Sequence, residues 1–209
     1  IRNAEEILPS IASTRGVETA IPRVIISGLV SSPVGNRPLM LQGIDPPRES
    51  ALRDLSEDLK EGESLTESTR DDPLILGITI VEKLELELGD RVVVTASGPD
   101  GEITRALFHL TGILESGLPE MDENLGLTTL EAAREAVSME GMLTQVGVVQ
   151  DPDFPSEEVA QAIRDSTGAG GNGLEVLTWQ EAIPEMVGFI EIDDAFLYIY
   201  LIVIFAVVA

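Results

Sequence analysis

The last fifteen residues constrain the fold of this chain most, because they form an uninterrupted apolar run. Residues 195–209 carry no charged side chain, and a helix built from them would be apolar on every side. Such a helix would span roughly 22 Å, which is shorter than the ~30 Å hydrocarbon core of a bilayer. The run therefore predicts the start of a transmembrane helix that continues beyond residue 209. A buried terminal core helix is the alternative.

The residues around this run indicate on which side of a membrane the remaining chain lies. Tyr198 and Tyr200 stand near its entry, where aromatic side chains favour the interface with water. Glu191, Asp193 and Asp194 precede the run, and no Lys or Arg accompanies them. Because cytoplasmic flanks carry an excess of Lys and Arg, this pattern favours a non-cytoplasmic position for the preceding residues.

The composition excludes several classes of function. The chain has 37 acidic and 13 basic residues, a net charge of −24, so a nucleic-acid backbone would be repelled. Cysteine is absent, which excludes disulfides, thiolate zinc sites and thiol catalysis. Hydrophobic residues make up 44% of the chain, enough for a substantial core. The acidity fits either adaptation to high salt or an ordinary acidic protein, and the sequence leaves both interpretations open.

Helix-type and strand-type segments alternate, which predicts an α+β fold. Helices are expected over residues 1–13, 46–61, 78–88, 128–137 and 154–166, and from Thr178 onward. Strands are expected over residues 22–30, 38–44, 91–95, 103–114, 142–149 and 174–177. We group these elements into two mixed α+β subdomains. One combines residues 1–60 with 143–190, and the other, residues 61–142, is inserted into it.

Three local motifs fix the ends of elements. Two capping boxes, Thr128-x-x-Glu131 and Thr178-x-x-Glu181, each predict the start of a helix. A hairpin is predicted where a short turn separates two apolar runs, because proline presets φ and glycine accepts positive φ. The residues of that turn are Ser97, Gly98, Pro99, Asp100 and Gly101.

No motif predicts a catalytic, cofactor or metal site. Gly168–Gly173 matches G-x-G-x-x-G, but a predicted helix precedes it and a predicted strand follows it. A dinucleotide site needs the reverse order, so a loop is expected there. No Walker A sequence is present, and the sole histidine, His109, lies in a strand pattern typical of a sheet surface. A hydrolase using two carboxylates stays open as an alternative, although so many acids make the pattern unspecific.

Several segments resemble, in the same order, those of one transporter family. The segment Leu39-Met-Leu-Gln-Gly-Ile-Asp-Pro-Pro-Arg-Glu49 is similar to the "GIDP..E" segment of FtsX-type ABC transporter permeases, especially the lipoprotein-releasing LolC/LolE group. Four further similar segments are Ala20–Val24, Leu88–Val92, Thr111–Gly117, and Leu177–Gln180 followed by Phe196. Together they cover nearly the whole chain.

The resemblance implies a MacB-like periplasmic core domain, held between two transmembrane helices of a permease in the inner membrane. In that family a Porter subdomain contains an inserted Sabre subdomain, which agrees with the division drawn above. The domain would have no enzymatic activity or cofactor of its own. It would relay motion from a cytoplasmic ATPase, pair with a second permease subunit, and help to export or release an envelope substrate such as a lipoprotein.

The resemblance also suggests two functional regions. Members of the LolC type carry a long hook loop that captures a periplasmic carrier, and the corresponding turn here, residues 97–101, is short. We therefore expect this subunit not to capture such a carrier by itself. Trp179, Pro184, Phe189 and Phe196 are expected to couple the domain to the membrane helix, with a core anchor as the alternative for Trp179. A membrane-tethered scaffold that activates a periplasmic or cell-wall enzyme is the second functional hypothesis.

Overall fold

A computed structural model of the chain describes residues 1, 3–52, 55, 57–170 and 173–183. The chain divides into two compact units, Ile1–Asp151 and Pro152–Ala209. The predicted transmembrane run lies outside the described residues, as do Pro184, Phe189 and Phe196. Within the described ranges, no helix has the length and apolar character needed to cross a membrane.

The first unit contains most of the regular structure. Its helices are α1 (Ala4–Ala12), α2 (Pro46–Glu49), α3 (Ile78–Lys83), α4 (Pro119–Asn124) and α5 (Leu130–Ala136). Its strands are β1 (Val17–Ser31), β2 (Asn36–Ile44), β3 (Leu59–Gly62), β4 (Pro73–Gly77), β5 (Arg91–Ser97), β6 (Ile103–Leu114), β7 (Leu125–Thr129) and β8 (Gln145–Gln150). The second unit contains α6 (Ser156–Thr167) and α7 (Trp179–Ala182).

Six strands in the described part of the first unit pair in a closed ring. Going around it, β1 pairs with β2, β2 with β7, β7 with β4, β4 with β6, β6 with β5, and β5 returns to β1. The β2–β7 and β4–β6 pairs are parallel and the others antiparallel. Strand β3 adds to β6, and β8 adds to β1. Closure removes the edges of the ring strands wherever both neighbours run alongside, whereas β3 and β8 each pair on one side only within the described residues.

Apolar side chains at alternating positions fill the ring. On β1, Val24, Ile26 and Val30 are buried, whereas Ser27 and Leu29 are exposed. The main core also takes buried residues from β2, β4, β5, β6 and the helices, among them Leu41, Leu74, Leu76, Ile80, Val92, Val94, Phe108, Leu110 and Ala133. A smaller cluster consists of Ile44, Leu65, Ile75, Leu114, Leu125 and Leu127. Because the two clusters take alternate residues of β4, that strand is buried along its whole length.

The predicted α+β class is confirmed, and several elements lie where the sequence places them. β6 has the predicted bounds, and α1, β2, β5, β8 and α6 overlap their predicted ranges closely. β1 is longer than predicted, because its first half pairs with β8 and its second half with β2 and β5.

Two predicted helices are much shorter in the structure. Among the described residues of the helix predicted over residues 46–61, only α2 is helical, and residues 59–62 form β3 instead. Leu59 packs against the smaller cluster while β3 pairs with β6, so tertiary pairing outweighs local helix propensity. The helix predicted over residues 78–88 ends at Lys83, and Glu85 follows with a left-handed φ of 50°. That conformation breaks the helix before Gly89.

The first predicted capping box is wrong, because the N-cap of the helix lies one residue later and its third helical residue is Ala132. Thr128 belongs to β7 and is fully buried, and its hydroxyl donates to the Pro73 carbonyl oxygen at 2.6 Å. The N-cap of α5 is Thr129, whose hydroxyl accepts the Ala132 N–H at 3.2 Å. The strand predicted over residues 174–177 is also wrong. Within the described residues this segment has no ladder partner, and Arg164 binds its Val176 carbonyl oxygen.

The predicted Porter and Sabre subdomains stay a prediction. The ring takes strands from both predicted ranges: β1 and β2 come from residues 1–60, and their partners β5 and β7 come from residues 61–142. The compact units divide the chain after Asp151. The predicted subdomain boundaries therefore differ from the boundary between the two compact units.

Candidate functional site

The turn between β5 and β6 forms the predicted hairpin. The Gly98 N–H donates to the Glu102 carbonyl oxygen at 2.8 Å, and the Gly101 N–H donates to the Gly98 carbonyl oxygen at 3.0 Å. Gly101 has a φ of 80°, which a glycine adopts without strain. Pro99 and Gly101 thus occupy the second and fourth turn positions, as expected for a tight turn with proline after its first residue.

This hairpin offers little surface to a partner. Ser97, Pro99, Asp100 and Gly101 are exposed, and Asp100 carries the only charge among the five turn residues. The base of the turn is close-packed, since a Cβ built on Gly98 would lie 2.9 Å from the Val137 carbonyl oxygen. The turn is therefore fixed at the end of α5, and its role as a partner site stays a prediction.

In the second unit, a complete capping box begins α7. The Thr178 N–H donates to Glu181 Oε2 at 2.9 Å, and the Thr178 hydroxyl accepts the Glu181 N–H at 3.4 Å. The Thr178 backbone N–H, helped by its hydroxyl and by the Arg164 guanidinium, holds the pKa of Glu181 below its ordinary value. The second predicted capping box is thus confirmed.

Arg164, near the end of α6, ties that helix to the segment before α7. Its guanidinium donates to Glu157 Oε1 at 3.0 Å, to the Val176 carbonyl oxygen at 2.9 Å and to Glu181 Oε2 at 3.4 Å. Arg164 is not among the functional residues predicted from the sequence. The available signal was a basic residue in the last turn of a helix that ends at a glycine.

Trp179 is the first residue of α7 and stands directly after this anchored segment. Its side chain is 47% exposed, so it is not the fully buried core anchor that was the alternative interpretation. The three other residues predicted to couple the domain to the membrane lie outside the described residues. The structure therefore fixes the position of Trp179 on α7, and the coupling role stays a prediction.

His109 pairs with one carboxylate rather than with a cluster. Its Nδ1 lies 2.8 Å from Asp72 Oδ1, and its backbone N–H donates to the Asp72 carbonyl oxygen at 3.0 Å. Among the residues described, no three His, Asp or Glu side chains are arranged to hold a metal ion. The pair joins β6 to the segment that precedes β4.

A groove beside β6 was also not predicted from the sequence. It has a volume of about 790 Å³, and residues 69–72, residues 104–108 and part of α5 line it. The groove exists because β4, which was not predicted, begins only at Pro73. The apolar run Pro73-Leu-Ile-Leu-Gly77, bounded by proline and glycine, is the signal that predicts a short buried strand.

Comparison with solved structures defines the class of fold. The chain resembles the extracellular domain of the noncanonic ABC-type transporter YknZ from Gram-positive bacteria, with a TM-score of 0.58 and 17% identity over 78% of this chain and 83% of that one. It also resembles the periplasmic region of MacB from Actinobacillus actinomycetemcomitans, with a TM-score of 0.53 and 14% identity over 78% of this chain and 73% of that one. The fold is that of extracytoplasmic transporter domains.

Sequence comparison identifies individual related proteins. The chain is 23% identical over 207 residues to the lipoprotein-releasing system transmembrane protein LolC of Neisseria meningitidis, covering 93% of this chain and 48% of LolC. LolC of Xylella fastidiosa is 28% identical over 112 residues, covering 51% of this chain and 27% of that protein. The chain thus spans about half the length of the Neisseria relative. No protein-family model matches. The predicted resemblance to LolC-type and MacB-like permeases is confirmed.

Proposed function

We propose that this chain is the extracytoplasmic domain of an ABC transporter permease and relays ATP-driven motion to an envelope substrate. The observation that carries the proposal is the similarity to Neisseria LolC along 93% of the chain. The fold shared with the YknZ and MacB domains supports it independently of sequence identity. The permease would lie in the inner membrane, with this domain on the periplasmic side.

A stiff fold would suit a mechanical relay. The closed ring of strands around the main core supports this, because close-packed interiors resist gradual deformation. We assign the Porter role to residues 1–60 and 143–190, and the Sabre role to residues 61–142. Motion would enter through the segment after α7, where Trp179 stands before Pro184, Phe189 and Phe196 in the sequence.

The partners follow from this proposal. A separate cytoplasmic ATPase would supply the energy, and a second permease subunit, identical or different, would complete the transporter. A lipoprotein is the substrate class that the relatives' name suggests. The apolar run at residues 195–209 would enter the membrane.

The relay role predicts that Trp179 matters more for transport than for stability. We expect Trp179→Ala in the full-length permease to lower the lipoprotein released per ATP hydrolysed. The unfolding free energy should change by less than the ~3–5 kcal/mol typical of a fully buried aromatic, because the ring is 47% exposed. Proteoliposomes containing the permease, its ATPase and its partner subunit allow both release and ATP hydrolysis to be measured.

Leu177→Ala is the matched control, since Leu177 is similarly exposed, at 50%, and precedes the cap of α7. Release per ATP should stay near the wild-type value in this variant. If Trp179→Ala and Leu177→Ala behave alike, the relay role of Trp179 is wrong. Pro184→Ala should likewise alter release more than stability.

The short β5–β6 turn predicts that another subunit captures any soluble lipoprotein carrier. Even transient protein contacts bury close to ~1,000 Å² in total, which a turn of five residues does not supply. Because the chain has no cysteine, Asp100→Cys introduces a single reactive site for crosslinking to the host's carrier. We expect no specific crosslink. A crosslink that disappears when the turn is replaced by Asn-Gly would show that the hairpin is a hook.

A further inference from the structure

Strand β6 has an open edge along its first half. On one side, β5 pairs with it from Ile103 to His109. On the other side, the register with β4 begins only at Pro73 and His109. The ring is therefore incomplete beside residues 103–108.

The hydrogen bond between His109 of β6 and Asp72, just before β4, shows which way the backbone groups at this edge point. The His109 N–H points toward that side, where it donates to the Asp72 carbonyl oxygen at 3.0 Å. Because a strand repeats every two residues, the N–H and C=O groups of Leu107 and Arg105 point the same way. No backbone group in the described part of the chain binds them. Natural proteins usually cover such edges, since they pair readily with another strand.

The groove of about 790 Å³ runs along this edge. Residues 69–72 and residues of α5 line it together with residues 104–108 of β6. Ala132 and Ala136 face the groove together with Ala106, and their small side chains leave room for an apolar side chain of a partner. A polypeptide strand added to β6 would thus have both hydrogen-bonding groups and a pocket for alternate side chains.

Two arginines at the groove favour acidic residues at the matching positions of a partner segment, although three carboxylates also line the groove. Arg70 and Arg105 line the groove and are exposed. Neither forms an ion pair with a carboxylate among the described residues, although acidic residues outnumber basic ones 37 to 13 in the sequence. Of the lining carboxylates, Asp72 is paired with His109, which leaves Asp71 and Glu135. A carboxylate opposite Arg105 would supply the ion partner that this strand position lacks.

We propose that the open edge of β6 binds an extended segment of a partner protein, which adds as a strand. In this segment apolar residues alternate with acidic ones: the apolar side chains enter the groove beside Ala132 and Ala136, and the acidic ones meet Arg105 and Arg70. A second copy of this chain does not fit, because antiparallel pairing of the two edges would bring Arg105 close to its own equivalent. The site does not depend on the function proposed above.

Leu107→Pro tests how much the backbone hydrogen bond of residue 107 contributes to binding of the partner segment. Proline removes the N–H that faces the open edge, and proline is tolerated on an edge strand because that N–H has no partner in the sheet. Leu107→Ala is the matched control, since it shortens the same side chain and keeps the N–H. Arg105→Glu tests the charge, because it places a carboxylate opposite the acidic residues of the partner.

The probe is a fluorescently labelled peptide in which valine and glutamate alternate, with a valine–lysine peptide of equal length for comparison. Fluorescence anisotropy with the full chain in detergent gives the dissociation constant. We expect the valine–glutamate peptide to bind, and Leu107→Pro and Arg105→Glu each to weaken binding at least about tenfold, or ~1.4 kcal/mol. The dissociation constant of the valine–glutamate peptide for Leu107→Ala should lie within about threefold of the wild-type value. The valine–lysine peptide should bind the wild-type chain at least about tenfold more weakly than the valine–glutamate peptide.

Hydrogen exchange keeps the proposal testable even where a variant unfolds. In the wild-type chain, the valine–glutamate peptide should slow exchange at the Arg105 and Leu107 amides, which are otherwise open to solvent. The proposal is wrong if the peptide does not bind or leaves these two amides unprotected. It is also wrong if a Leu107→Pro variant with an unchanged circular dichroism spectrum binds as tightly as the wild type.

Discussion

Arg23 and Glu49 form the most buried ion pair among the described residues. Two parallel hydrogen bonds join them, from Arg23 Nε to Glu49 Oε2 at 3.0 Å and from Nη2 to Oε1 at 2.5 Å. The side chains are 17% and 9% exposed. Removing one partner leaves the other charge poorly solvated. The resulting loss of unfolding free energy is therefore larger than the net stabilisation that the intact pair provides.

We predict that Arg23→Met destabilises the first unit by about 3 kcal/mol. The double variant Arg23→Met with Glu49→Leu should lose much less than the sum of the two single changes, because no charge is left unpaired. Urea unfolding of the four proteins gives the coupling free energy. The control is the exposed pair of Lys60 and Glu115, also 3.0 Å apart, where Lys60→Met should cost no more than ~1 kcal/mol. Equal costs at both pairs would contradict this account.

At the scale of elements, a glycine in β2 allows α5 to pack closely on the sheet. A Cβ built on Gly43 would lie 2.2 Å from the Ala133 Cβ, which belongs to α5 and is fully buried. Gly35, just before the same strand, has nothing within 4 Å of its built Cβ and no positive φ. The two glycines therefore separate the effect of packing from that of backbone entropy.

We predict that Gly43→Ala costs ~1–3 kcal/mol of unfolding free energy, because the helix must move away from the sheet. Gly35→Ala should change the unfolding free energy by less than ~1 kcal/mol. The variant should be the more stable protein if alanine reduces the conformational freedom of the unfolded chain. Thermal or urea unfolding of both variants measures the difference. A neutral Gly43→Ala would mean that α5 adjusts without cost.

The capping hydrogen bonds at the start of α7 should weaken at acidic pH. Because the pKa of Glu181 is lowered in the folded chain, its capping contribution is fully present above the ordinary value of 4.5. The contribution is lost as the pH falls below that value and through the lowered pKa. We expect the Thr178 amide to exchange faster as Glu181 becomes protonated, with the carboxyl titration followed by NMR. In Glu181→Gln this pH dependence should disappear, and if it persists, another group controls the cap.

At the scale of the whole molecule, the net charge of −24 makes self-repulsion a general cost of folding. Raising the NaCl concentration from 0.1 M to 1 M shortens the Debye length from ~10 Å to ~3 Å, which screens most of this repulsion. We predict that the Tm rises over this range and that the increase levels off as screening becomes complete. A Tm that is constant or falls with NaCl would show that the acidic surface is already well compensated.

The sequence determined the class of fold and the elements whose signals are local. Strand β6 followed from its continuous β-type run, the β5–β6 hairpin from Pro99 and Gly101, and the cap of α7 from Thr178 and Glu181. Each of these depends on residues within a few positions of one another, so φ preferences and side-chain reach suffice to predict them. The ordered set of segments that resemble a permease family also depends on sequence alone.

Only the tertiary structure decided what depends on distant neighbours. Residues 59–62 form a strand because β6 pairs with them, and Thr128 serves β7 rather than a helix cap because the Pro73 carbonyl oxygen lies within reach of its hydroxyl. The closed ring joins strands from both predicted subdomains, and the open edge of β6 exists because β4 begins at Pro73, opposite His109. Strand pairing is non-local, and the free energy of burial that selects it is a property of the assembled core. Local propensity does not encode it.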